Sequence, residues 1–210
     1  MYKNFIKRFI DIVLSLISIV VLLPLFLIIS IVIKIDSKGP VFFSQTRIGK
    51  KQQMFTVHKF RSMLTYEESF LPNGKEIPNN ERVTRVGKFL RNTSLDELPQ
   101  LFNILKGEMS LIGPRPTLEY QVKRYNDRQF KRLDVRPGLT GLAQVNGRNQ
   151  LTWEQKINFD IEYVEHISFL LDLRIFLKTF SVLFKKEVNE FQYHDNLSQH
   201  EGSIIEDVNK

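Results

Sequence analysis

Residues 12–33 read IVLSLISIVVLLPLFLIISIVI, 22 positions without a charged side chain. As a straight helix they would reach about 33 Å, one bilayer core. A cleaved signal peptide has a shorter apolar region and a small-residue cleavage site, whereas Lys34-Ile35-Asp36 follows here. Pro24 stands mid-segment, where it removes a helix hydrogen bond and predicts a kink or break. Both flanks are basic: Lys3, Lys7 and Arg8 precede the segment, and Lys34, Lys38, Arg47, Lys50 and Lys51 follow it. The positive-inside rule then puts both ends on the cytoplasmic side. A re-entrant hairpin or sharply bent helix satisfies both observations. A Pro-kinked single span remains the alternative, since membrane helices tolerate proline. Asp11 lies one turn from Lys7 and Arg8 and can pair with them at the interface.

The whole chain has 210 residues, 42% hydrophobic and 25% charged. Those fractions exclude wholesale disorder and a polytopic membrane protein. The absence of cysteine excludes disulfides, zinc-thiolate sites and a thiol nucleophile. The net charge of +7 is uneven. Residues 187–210 hold six acids and one base, while the first 186 residues hold 29 bases against 17 acids. A basic body predicts an anionic partner, and the polar acidic tail reads as mobile.

Beyond the apolar segment the pattern is that of a helix-rich α/β unit. Short strands are predicted at 41–43, 55–63 and 109–112 and within the Gly- and Pro-rich loop over 134–147, with a polar, turn-rich loop over 65–82. Helices are predicted over 83–92, 95–105, 118–130 and 151–185. Ser94 followed by Glu97 has the spacing of a capping box for the second of these. The stretch 169–184 is very apolar and reads either as a core helix or as one lying in the membrane interface.

Asp96-Glu97 falls in the first turn of that predicted helix. Acids there usually cap the helix and complement its dipole. Arg91, one turn upstream, keeps carboxylates ionised, which suits a nucleophile or a metal ligand. Arg115 stands between two prolines after a glycine, in Gly113-Pro114-Arg115-Pro116, so its guanidinium is preorganised for bidentate phosphate contact. Arg136 and Arg148 also sit beside Gly or Pro, and Lys59 and Arg61 flank Phe60 on a strand. Together these cations point to a polyanionic small ligand. His58, His166, His194 and His200 lack metal-ligand spacing. No Gly-rich nucleotide loop is present, and aromatics do not interleave with the arginines as a nucleic-acid surface needs.

At these residues the sequence resembles the bacterial sugar transferases, the small monotopic phosphoglycosyl transferases. The resemblance rests on KRFIDI (7–12), Pro24, KGPVFFSQTRIG (38–49), HKFRSM (58–63), RVTRVGKFLRNTSLDELPQLFNILKGEMSLIGPRP (82–116), RPGLTGLAQVNGRN (136–149) and FDIEYV (159–164). It implies a re-entrant membrane anchor over 1–35 and an α/β catalytic domain over 36–186 on the cytoplasmic face, supported by interfacial amphipathic helices. Residues 187–210 would be an appended tail. It implies transfer of a phospho-sugar from a UDP-sugar to undecaprenyl phosphate at the bacterial cell membrane, with release of UMP. Asp96 would be the nucleophile forming a covalent phospho-sugar intermediate, and Glu97 would hold Mg²⁺ or assist as a base. Lys59, Arg91, Arg115 and Arg148 would bind phosphate and nucleotide, with Asp160 a further polar site residue. Membrane lipid is an expected partner, nucleic acid is not, and a homodimer is compatible. Many relatives have Ser before the hairpin proline; Leu23 stands there in this chain. The rival reading is a non-enzymatic basic adaptor on anionic lipid or nucleic acid, which would need interchangeable cations rather than arginines fixed by Pro and Gly.

Overall fold

Residues 11, 15, 19, 22, 26, 29 and 33 recur every three or four positions, which puts them on one stripe of a helix. In the computed structural model, which describes residues 2–79, 81–147 and 150–184, they form the packed side of α1 (Lys7–Asp36). This single helix runs through Pro24. At about 45 Å it is long and apolar enough to cross a membrane. It nevertheless contacts the rest of the chain at both ends. Arg8 donates to the Ile104 and Leu105 carbonyls, and the buried Asp11 accepts from Leu111 N–H and Ser110 Oγ. Near the other end, Arg61 spans Ser37 and the Pro40 carbonyl. The opposite side of α1 leaves Phe9, Leu16, Val20, Leu23, Leu27 and Ile31 uncovered.

Two strands follow. β1 (Phe42–Ile48) and β2 (Met54–Phe60) pair antiparallel, from Phe42 opposite Phe60 to Ile48 opposite Met54. α2 (Arg85–Thr93) starts where the Thr84 hydroxyl accepts from Gly87 N–H. Gly87 is required there, because a Cβ would stand 1.9 Å from the Ser62 carbonyl oxygen. α3 (Gln100–Lys106) comes next, then β3 (Ser110–Ile112). The helix expected over 118–130 is instead two single turns, α4 (Glu119–Val122) and α5 (Asp127–Phe130), because Asn126 caps a new start. β4 (Gly138–Thr140) pairs parallel with β3. α6 (Leu142–Asn146), α7 (Trp153–Glu165) and α8 (Phe169–Phe184) complete a helix-rich α/β chain with two small sheets.

Burial of apolar side chains holds these pieces together. Ile19 of α1 packs with Val57, Leu101, Ile104 and Met109; Ile29 and Ile33 pack with Phe60 and Leu90. The apolar helix is therefore part of the core that carries β2, α2 and α3. Other clusters join Ile48, Tyr125 and Ile161, and Ile112, Val145, Tyr163 and Ile175. α8 buries Asp172 and Ile175 and exposes Phe169, Leu170, Leu173, Leu177 and Phe180. The tail at 187–210 lies outside the described residues.

Candidate active site

The corner between α2 and α3 differs from the sequence reading. Ser94 adopts a left-handed conformation, φ 56° and ψ 17°, and its N–H closes the end of α2 on the Arg91 carbonyl. A residue committed to that C-terminal turn cannot also be the extended N-cap of the next helix. Leu95–Glu97 instead forms a single 3₁₀ turn, and α3 begins beyond Pro99. Asp96 and Glu97 thus sit at a sharp corner rather than inside a regular helix.

Glu97 is held from two sides. Its Oε1 accepts from Lys59 Nζ at 2.6 Å and from Arg115 Nη2 at 2.5 Å. Burial would raise its pKa, but Arg115 and Lys59 outweigh that and bring it down to about 2. Asp96 beside it is also buried. Its carboxylate makes no hydrogen bond among the described residues. Burial raises its pKa, Lys59 opposes this, Glu97 adds to it, and Arg91 and Arg115 oppose it further. One carboxylate is clamped and strongly ionised; the other is unclamped among cations.

Each cation has a structural reason for its place. Lys59 is carried by β2 opposite Phe43. Arg91, in the last turn of α2, is fixed by donation from Nε to Ser62 Oγ at 2.9 Å. Arg115 follows a turn clamped to β4: Gly113 N–H donates to the Thr140 carbonyl and Gly138 N–H to the Pro114 carbonyl. A Cβ on Gly138 would stand 2.1 Å from Gly113 N, so only glycine allows this approach.

Lys59, Arg91, Asp96, Glu97 and Arg115 are thus brought together. Asp160 is not. It is buried on α7 in an ion pair with Arg132 and reaches the cluster only through Arg132, which also donates to the Arg115 carbonyl at 3.0 Å. Burial pushes the Asp160 carboxyl up to about 6, against the pull of Arg132. Arg148 lies outside the described residues. Arg61 and Arg136 stand elsewhere: Arg61 is spent on the end of α1, and Arg136 donates to the Gly107 carbonyl after α3. Pro24 is exposed on α1. Lys156, which the sequence reading missed, borders the cluster, since burial and then Arg115 lower its pKa. Arg132 was missed too, because neither residue carries a local Gly or Pro signal. His58 shares a hydrogen bond with Ser44 and His166 with the Glu162 carbonyl. Among the described residues no group of three or more His, Cys, Asp or Glu side chains converges as a metal cage.

The family model for bacterial sugar transferases matches residues 2–186. The chain is 45% identical over 148 residues to an uncharacterized sugar transferase, EpsL, of Bacillus subtilis, covering 70% of this chain and 72% of that protein. It is 39% identical over 187 residues to the exopolysaccharide production protein ExoY of Sinorhizobium fredii, covering 82% and 83%. It is 41% identical over 198 residues to the UDP-glucose:undecaprenyl-phosphate glucose-1-phosphate transferase of Klebsiella pneumoniae. That alignment covers 89% of this chain and 41% of the longer relative. With an apolar helix at its N-terminus and relatives of this kind, the chain is membrane-associated. It belongs to the bacterial sugar transferase family and is a phosphoglycosyl transferase.

Proposed function

We propose that the chain transfers a sugar 1-phosphate from a UDP-sugar to undecaprenyl phosphate, as the first membrane step of glycan assembly. The observation that carries this reading is the unlike state of the two adjacent carboxylates. Asp96 is buried and free of hydrogen bonds among the described residues, so no donor has to be displaced from its oxygens before they meet a reacting atom. A carboxylate approaching a diphosphate is opposed by charge, and Lys59, Arg91 and Arg115 supply the compensating field. An Asp96 oxygen attacks the β-phosphorus, the bond from that phosphorus to the bridging oxygen breaks, and UMP leaves with the bridging oxygen. An oxygen of undecaprenyl phosphate then attacks the same phosphorus and releases the Asp96 carboxylate. The product is the undecaprenyl diphosphate sugar. Splitting the transfer lets a soluble donor and a lipid acceptor use one site in turn.

Magnesium fits the donor set. This ion is held by one or two carboxylates plus substrate phosphates and keeps several waters. The Asp96 carboxylate and Glu97 Oε2 are oxygen donors with no hydrogen bond among the described residues, and Glu97 stays ionised. Bound there, Mg²⁺ would neutralise charge on the diphosphate.

We also read α1 as re-entrant. Its two ends are tied to one body, at Arg8 and Asp11 and again at Ser37, which supports an anchor that enters and leaves on the cytoplasmic face. The exposed apolar side of α8 would lie in the interface. The test is UMP release across UDP-glucose, UDP-galactose and their N-acetylamino counterparts, with undecaprenyl phosphate and Mg²⁺. One donor of the panel is turned over, and Asp96→Asn lowers its rate by about 10³-fold or more. Normal turnover by a folded Asp96→Asn protein would remove Asp96 from the reaction.

A further inference from the structure

Arg115 rests on a brace behind the site. Arg132, in the 3₁₀ turn Lys131–Asp134, is only 5% exposed. Its Nη1 donates to the Tyr125 hydroxyl, and its Nη2 donates to Asp160 Oδ2 and to the Arg115 carbonyl oxygen, the last at 3.0 Å. The Tyr125 ring lies 5.6 Å from the guanidinium carbon. Asp160, on α7, is 2% exposed. The charge of Arg132 is thus taken by a buried carboxylate and does not face an incoming anion. A buried ion pair gains little net stability, because desolvation offsets the attraction, but its geometry is well defined.

The two attachments of Arg115 differ in what a substrate would do to them. Its side chain is 53% exposed, and its tip is held by Glu97, a contact that a phosphate must share or displace. Its carbonyl is held by Arg132, on the buried side, where no phosphate competes. The next residue is Pro116, so the Arg115 backbone gains further stiffness from the chain itself. We propose that the Asp160–Arg132 pair is a positioning device that fixes the Arg115 backbone, so that only the tip of the side chain has to turn from Glu97 to the donor phosphate. This rests on the reading of Arg115 as a phosphate ligand. Neither Arg132 nor Asp160 touches substrate; both act through Arg115.

Arg132→Lys tests this. It keeps a charge beside Asp160, but a compact ammonium lacks the planar fork that bridges Tyr125, Asp160 and the carbonyl. UMP release from the UDP-sugar turned over fastest in the panel is measured with the full chain in detergent, alongside thermal unfolding. Arg132→Lys is placed in the wild-type protein and in Arg115→Ala. The expected result is a fall in kcat/KM of about 10- to 100-fold in the wild-type background, carried largely by a higher KM for the donor. In Arg115→Ala the same change costs less than about twofold more, because the residue it positions is gone. Equal losses in both backgrounds, or losses that follow the unfolding midpoint, would overturn the proposal and leave the pair a part of the core. Full activity of Arg132→Lys beside an impaired Arg115→Ala would overturn the brace alone. Full activity of Arg115→Ala would overturn the phosphate reading, and the brace with it. Should Arg132→Lys not fold, Tyr125→Phe makes the same comparison. It keeps the ring and removes one anchor, for an expected loss of about threefold in the wild-type background only.

Discussion

Asp96 and Glu97 are chain neighbours with opposite electrostatics, and that contrast has a kinetic signature. Glu97 stays ionised down to about pH 2, so it contributes no limb to a pH profile in the working range. Asp96 is raised above the ordinary carboxylate value of 3.8. In the proposed reaction the ionised nucleophile is then lost as pH falls through that raised value, which gives kcat/KM an acid limb from Asp96 beside the one that Asp160, pushed up to about 6, adds through Arg132 and Arg115. Arg91 opposes the rise. Arg91→Gln should therefore move the Asp96 limb upward, by about one pH unit or less, as read from UMP release between pH 4 and 8. A limb that stays in place would separate Arg91 from Asp96. At this scale the sequence reading located five converging residues, because Asp-Glu and Pro-Arg-Pro are local signals. It set Asp160 in the ligand site, since chain order does not reveal that Arg132 stands between.

Elements place these side chains through their ends. The Ser94 hydroxyl makes no cap, whereas that of Thr84 does. Ser94→Ala should leave stability within about 0.5 kcal/mol, while Thr84→Ala should cost about 1 kcal/mol. Denaturant midpoints of the two variants decide between the corner described here and a capping box at Ser94. β2, β3, α2 and the apolar run of α1 were legible from period and turn residues, while β1 was legible only at its start, since it continues to Ile48 through the polar residues 44–47. The capping-box reading failed because one residue cannot finish α2 in a left-handed turn and start the next helix in an extended one. The expected helix at 118–130 failed at Asn126, whose own capping of α5 breaks the run. Pairing of β3 with β4 is likewise set by contacts distant in sequence, including the close approach of Gly113 and Gly138.

Over the whole molecule, α1 joins membrane attachment to the site. Its stripe from Asp11 to Ile33 packs with β2, α2, α3 and β3, and its other side is apolar and uncovered. The re-entrant reading predicts that cysteines introduced singly at Lys3 and Lys38 are both labelled from the cytoplasmic face by an impermeant reagent; the chain has no native cysteine to confuse the result. Labelling of Lys3→Cys only from the outer face would establish a straight span. The same architecture would set the Asp96 corner beside the head group of a lipid acceptor, and the proposed two-step transfer would stop halfway when that acceptor is withheld. The most direct measurement is intact-protein mass after incubation with the preferred UDP-sugar and Mg²⁺ but without undecaprenyl phosphate. The account predicts a mass gain of one sugar phosphate per chain, matched by one UMP, located on the peptide containing Asp96 and absent in Asp96→Asn. Full turnover with acceptor but no adduct without it would contradict the covalent route.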